Sequence, residues 1–299
     1  MSNIIINPYN FLVAGFRGCY CGGRSTGDVQ SAVIDYITID TIGNATTFGN
    51  LTVARSILGG VSSETRGVCA GGNSASGYDN TIDYITVATT SNAINFGDLT
   101  VGRDNLTGGV SNLTRGCFAG GWSGGFDFTI DYVTIATTGN ATDFGDLYQE
   151  RRGLSGVSSD TRGCFAGGTD PSYSQTNTID YITIATTGNA VSFGDLTTSS
   201  QGCAGVCNST YGLFGGGNNN LDGIDYITIA TTGNATDFGD LTVARQMAAG
   251  VSSETRGCFG GGTTYSNVID YVTIDTTGNA TDFGDLTVAR SMATGVQGE

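Results

Sequence analysis

The chain has 299 residues, 49 of them glycine and 2 proline, no histidine, and a formal net charge of −15 in which all 12 basic residues are arginine. Without histidine there is no Ser-His-Asp triad, Cys-His pair or histidine metal site, and without lysine no Schiff base and no phosphate-loop lysine. So acidic a surface repels a nucleic-acid backbone and an anionic membrane, and neither is expected as a partner.

At the start, "MSNIIINPYN" lacks the basic residues and the long apolar run of a signal peptide, so residues 1–10 read as an arm and no export signal is expected. No later run approaches the length of a membrane span. "NFLVA" (Asn10–Ala14) reads as a short strand, and "FRGCYCGG" (Phe16–Gly23) as a second one ending in Gly-Gly. "IDYITI" then alternates with β-branched residues, as a strand does. The Gly-Asn of "TTGN" suits a tight hairpin, from which "ATDFGDL" returns. "LTVAR" leads on to a short strand such as "LGGVSS" (Leu58–Ser63) and to the next Gly-Gly strand, whose "CFA" is apolar on both faces and should be covered on both.

This wording repeats. The Asp-Tyr pair stands at Asp35, Asp83, Asp131, Asp180, Asp225 and Asp270, with spacings of 48, 48, 49, 45 and 45 residues. Four antiparallel strands per unit and six units, roughly 11–54, 55–102, 103–150, 151–199, 200–244 and 245–289, predict one all-β domain, a six-bladed β-propeller. Its ring is expected to close through the C-terminal segment 290–299, with Met292–Val296 as the closing strand and Asn10–Ala14 as the rival for that place. A solenoid fits less well, because neither end reads as a polar cap.

The Gly-Gly strand, the later Tyr, an aromatic at Phe48, Phe96, Phe144, Phe193, Phe238 and Phe283, and an Arg before the next unit together resemble the kelch repeat from about residue 15 onward. Kelch usually carries Trp at the aromatic place, so this is a divergent version. The resemblance implies a propeller and little about function. "GNATDFGDLTVAR" also resembles repeat proteins of marine bacteriophages that are thought to be virion components.

Ten arginines fall at two repeat positions: Arg55, Arg103, Arg151, Arg245 and Arg290 in "VAR", and Arg17, Arg66, Arg115, Arg162 and Arg256 in "TRG". The fifth unit has Ser200 and Tyr211 instead. The six Asp of "IDY" share a strand face with apolar side chains, where a carboxylate needs a partner. A set of Asp–Arg or Asp–backbone contacts joining the units is expected, with calcium as the alternative. The eight cysteines read as buried free thiols, since their main repeat position also accepts Val68 and Leu213. Asn44, Asn140, Asn234 and Asn279 of "NAT" read as turn asparagines rather than glycosylation acceptors.

The loops after Gly-Gly are where the units differ, and strand alternation puts all six at one end. They hold Tyr78, Trp122, Phe126, Phe128, Tyr173 and Tyr265 among Asp, Asn and Ser, the mixture that protein or sugar recognition uses. Trp122 and Tyr173, in adjacent units, are expected to flank a shared groove. The reading is a non-catalytic binding or structural propeller with no cofactor and no metal. Its expected setting is a virion or extracellular particle surface, as a capsid-decoration or tail-associated protein contacting other virion proteins or a surface glycan. A lectin-like sugar-binding module is the alternative, and a carboxylate glycosidase the third.

Overall fold

The structure, a computed structural model, describes residues 15–218 and 221–299. The arm at 1–10 and the strand read at Asn10–Ala14 lie outside the described residues. The described residues are all-β, with thirty strands in eight antiparallel sheets, six of four strands and two of three. Among the described residues no helix is long and apolar enough to cross a membrane.

The second unit shows the pattern. Gly59–Ser62 pairs with Arg66–Ala70, which pairs with Thr81–Thr86, which pairs with Ile94–Asp98. The second strand is buried along almost its whole length, as expected of a strand that is apolar on both faces. In all six four-stranded sheets the pairing of the last two strands slips by one residue between the Ile and the Asp of "IDY". The extra residue is the repeated phenylalanine, Phe96 in this unit, so the aromatic marks a β-bulge. It is buried and meets the "IDY" tyrosine edge to face, with Tyr84 and Phe96 centroids 6.0 Å apart.

Each sheet leans on the next. The innermost strands Gly59–Ser62, Gly109–Ser111, Ser155–Ser158, Ala204–Cys207, Ala249–Ser252 and Thr294–Gly298 contact one another in that order, and the last contacts the first. Glycine is required at the approach. A Cβ on Gly109 would strike the carbonyl of Gly60, and the same holds for Gly156 on Gly109, Gly205 on Gly156, Gly250 on Gly205, Gly295 on Gly250 and Gly60 on Gly295. Just before these strands a series of backbone hydrogen bonds also returns to its start. Ile57 donates to Met292, Leu106 to Ile57, Gly153 to Asn105, Gly202 to Gly153, Met247 to Gly202 and Met292 to Met247, at 2.7–3.3 Å. Ile57, Asn105, Gly153, Gly202, Met247 and Met292 all have left-handed φ of +56 to +67°.

Thr294–Gly298 pairs along Arg17–Cys21, with Val296 opposite Cys19. The C-terminal strand thus lies two residues beyond the segment expected from the sequence.

Two features depart from the expectation. "TTGN" does not form a tight hairpin: seven residues separate Phe126–Thr134 from Thr142–Asp146, and the connection reaches sideways. Gly139 N–H bonds Phe96 O and Ala141 N–H bonds Asp98 O, each at 2.8 Å, and Asp98 N–H bonds Asn140 Oδ1 at 3.1 Å. The turn asparagine therefore caps the outer strand of the preceding unit, and Asn44, Asn92, Asn189, Asn234 and Asn279 do the same. Second, the Gly-Gly loops of the first two units are not free of ladders. Arg24–Ser25 pairs with Val29–Gln30 and Arg290–Ser291, and Asn73–Ser74 with Gly77–Tyr78 and Arg55–Ser56, making the two three-stranded sheets. In the third and fifth units the loop instead lengthens the main hairpin, as in Arg115–Trp122 and Phe126–Thr134.

Candidate functional site

Two kinds of place are built from unusual chemistry: the buried "IDY" carboxylates and the loops after Gly-Gly. The carboxylates of Asp35, Asp83, Asp131, Asp180 and Asp270 are fully buried and meet arginines of the "VAR" position. The pairs are Arg290–Asp35 and Arg55–Asp83 at 3.0 Å, Arg103–Asp131 at 3.2 Å, Arg151–Asp180 at 2.6 Å and Arg245–Asp270 at 2.5 Å. The guanidinium also donates to backbone carbonyls: Arg55 reaches Cys69 O, directly across the ladder from Asp83, and Thr81 O, two residues before it. Burial without a partner would be costly for either charge, and the fork of Arg supplies enough donors to satisfy both carboxylate and carbonyls. Burial lifts the Asp131 and Asp180 carboxyls and depresses Arg151, Arg245 and Arg290, the charges of the partners opposing both shifts.

A threonine completes five of the six sites. Thr52, Thr100, Thr197, Thr242 and Thr287 donate both N–H and hydroxyl to Asp83, Asp131, Asp225, Asp270 and Asp35. At Asp180 of the fourth unit Tyr148 of the third stands in its place, only its N–H reaches the carboxylate, and Asp180 Oδ1 is left buried without a partner.

The arrangement differs from the expectation in two respects. Four of the acids pair with "VAR" arginines of their own unit and Asp35 with Arg290 of the C-terminal segment, and between the other units the threonine, not the arginine, makes the link. The "TRG" arginines do something else. Arg17, Arg66, Arg115, Arg162 and Arg256 each lie over the "IDY" tyrosine of their own unit, 4.1–4.7 Å from the ring centroid. They donate to carbonyls of the following unit, as Arg66 does to Ile135 and Ala136. In five units the carboxylate is filled by Arg, which leaves calcium no place there. Among the described residues no three Cys, Asp or Glu converge as a metal site would need.

The loop residues form two groups. Trp122 packs edge to face on Phe126 at 5.1 Å, and Phe126 on Tyr173 at 5.3 Å. Phe126 thus fills the space between Trp122 and Tyr173, and the expected groove between those two is a packed cluster. Trp122 Nε1 donates to the Tyr78 hydroxyl at 2.8 Å, which adds a third unit. Over this cluster lies the Arg152 guanidinium, 4.8, 5.2 and 5.6 Å from the centroids of Trp122, Phe126 and Tyr173. Phe128 stands apart and exposed, and Tyr265 belongs to the other group.

In that second group the Tyr265 hydroxyl donates to Asp28, which is paired with Arg24 at 2.9 Å and held below the usual carboxylate range by it. Arg24 donates to Asn73, and Asn73 to Asp104. Burial raises the Asp104 carboxyl, while Asn105, Asn73 and the Arg152 charge pull it down. Sequence reasoning missed Arg24 and Arg152. The signal was present, because these are the two arginines that fall outside the repeat positions.

Along the axis of the innermost strands runs a cavity of about 80 Å³, walled by Gly60, Gly109, Gly156, Gly205, Gly250 and Gly295. It has room for a few waters and no substrate. In comparisons with known proteins, no family model matches the chain and no curated protein matches it.

Proposed function

We propose that the protein is a six-bladed, kelch-like β-propeller that binds a partner through its Gly-Gly loops and performs no catalysis. Six four-stranded sheets, the contacts of their innermost strands and the hydrogen-bond series from Ile57 back to Met292 support the ring, with the C-terminal strand closing it. The two three-stranded sheets are then elaborations of the loops at one end.

The observation that carries the binding reading is Arg152. Its guanidinium lies on three aromatic rings contributed by two units, and among the described residues no oxygen accepts a hydrogen bond from it. Trp, Tyr and Arg are the residues that anchor interfaces, and a stacked guanidinium with unspent donors is prepared for a carboxylate or amide oxygen. Of the carboxylates that hydrolytic chemistry would use, Asp35, Asp83, Asp131 and Asp270 are committed to both Arg and Thr, and Asp180 to Arg151.

The resemblance of "GNATDFGDLTVAR" to phage repeat proteins supplies the setting, a virion surface where the partner is another virion protein. A surface glycan is the second reading, favoured by Tyr173, a residue 66 % exposed beside the cation. Mass spectrometry of gradient-purified particles from the source tests the setting, and absence of the chain from them removes it. Binding is tested by glycan array and by pull-down with purified particles, comparing the wild type with Arg152→Ala and with Trp122→Ala plus Tyr173→Ala. Loss of about 2 kcal/mol or more of affinity is expected from the anchors. Unchanged binding would place the functional surface elsewhere.

A further inference from the structure

Ser200 stands where five other units carry a buried arginine, yet the backbone around it is the same. Gly168 N–H bonds Ser200 O at 2.8 Å, as Gly23 bonds Arg55 O and Gly72 bonds Arg103 O at 2.9 Å. Ser200 N–H bonds Thr176 O at 3.2 Å, as Arg151 N–H bonds Asp127 O at 3.2 Å. Only the side chain is gone, and its space persists as a cavity of about 220 Å³ lined by Thr197, Ser200, Cys203, Phe214, Gly223 and Asp225 among others. Cys203 lines it in the place that Leu58, Leu106 and Leu154 hold in three units and the smaller Ala248 and Ala293 in two.

The acceptors are also intact. Thr197 donates N–H and hydroxyl to Asp225 at 2.8 and 2.6 Å, holding the carboxylate as in the sibling sites. Phe214 lies across the ladder from Asp225, as Cys69 does from Asp83, and Gly223 precedes Asp225 by two residues, as Thr81 precedes Asp83. For Arg55, Arg245 and Arg290 the corresponding pair of carbonyls and the carboxylate together hold the guanidinium. Asp225 differs from the other five in being half-buried, not fully buried, and exposed Thr197, Thr198 and Asp222 form the rim. The cavity therefore opens to solvent.

We propose that this cavity binds a guanidinium group supplied by another molecule, in the place the chain's own arginine takes in five units. Asp225 neutralises it, and the carbonyls of Phe214 and Gly223 accept from it. The planar fork is the shape these acceptors fit elsewhere in the fold, so a point-like ammonium should bind more weakly. The volume suits a side chain rather than a larger ligand. The net charge of −15 raises the local concentration of such cations. Two sources share this chemistry, a free guanidino compound and an arginine side chain on a protein surface. The inference does not rest on the loop cluster around Arg152.

Isothermal titration calorimetry with agmatine, with a capped Gly-Arg-Gly peptide and with butylamine tests it on the full chain. Wild type should bind agmatine or the peptide saturably, and butylamine more weakly. Stronger binding of the peptide identifies the source as a protein, and stronger binding of agmatine a free compound. Ser200→Arg should abolish binding and raise the melting temperature, because it restores the internal guanidinium. Asp225→Asn should weaken binding by about tenfold or more. Retention of affinity in Ser200→Arg overturns the proposal, and this variant decides alone if Asp225→Asn fails to fold. So does an absence of saturable binding by wild type up to about 20 mM ligand, or a calcium chloride titration that saturates the site while agmatine does not.

Discussion

Arg290 and Asp35 are 255 positions apart in the sequence, and their side chains meet at 3.0 Å in the interior. Removing one partner leaves the other charged, buried and uncompensated. Arg290→Met should therefore cost about 3–5 kcal/mol in urea unfolding, whereas Arg290→Met with Asp35→Leu should cost less than the single change. Equal losses in the two would show that the pair contributes only by its bulk.

Tyr148 offers a gain. Every other unit has threonine there, and only in the fourth does Asp180 Oδ1 lack a donor. Tyr148→Thr should supply the hydroxyl and raise stability by about 1 kcal/mol, since Tyr148 is exposed and gives up little packing. A fall in the urea midpoint would show that the introduced hydroxyl does not reach the carboxylate.

The six left-handed positions can be tested for backbone cost alone. A Cβ on Gly153 would meet nothing closer than 3.5 Å, so Gly153→Ala adds strain and no clash. A loss of about 1 kcal/mol is expected, and Ile57→Asn, with a residue that tolerates this region, should recover a similar amount at its own position. Thermal unfolding of both variants measures it.

Asp225 gives stability a defined pH dependence. Burial raises its carboxyl above the ordinary value of 3.8, so the folded state holds the proton more tightly than the unfolded chain. That contribution is fully present below 3.8 and is lost as pH rises through the raised value. Asp225→Asn lacks it, so the variant should lose ground to wild type as pH falls from neutrality. Urea unfolding of both across that window checks the sign, and a variant that gains ground instead would contradict it.

The thiols should report on folding. All eight cysteines are free, and burial lifts Cys117, Cys164 and Cys258 to about 12 and Cys203 to about 11. The native protein should react slowly with a thiol reagent, and the urea-unfolded protein should consume eight equivalents without prior reduction. Fewer equivalents would reveal a disulfide.

Much of the fold was legible because the units copy one another. Alternation in "IDYITI" and the apolar "CFA" located the strands, and Val68 and Leu213 at a cysteine position identified the thiols as packing groups. The turn "TTGN" misled because its Gly-Asn satisfies two descriptions, a tight hairpin and a cap on a neighbour, and local chemistry does not choose between them. Ser200 was visible as a departure from the repeat. That a cavity survives there depends on the backbone bonds of Gly168 and Thr176, which no single stretch of sequence contains. Of the loop aromatics, four came together through Phe126 and the Tyr78 hydroxyl, contacts between units that spacing alone does not specify.

The pairing of Thr294–Gly298 with Arg17–Cys21 has a kinetic consequence. Contacts between neighbouring units join residues tens of positions apart, but this ladder joins the two ends of the described chain, and its entropy of closure is met only when the rest is in place. Folding should accumulate a species with the other sheets formed and the strand Arg17–Cys21 open along one edge. Until the last strand arrives, that edge accepts the same strand from a second copy as readily as its own, so at high concentration refolding should divert into strand-exchanged dimers before any other misassembly.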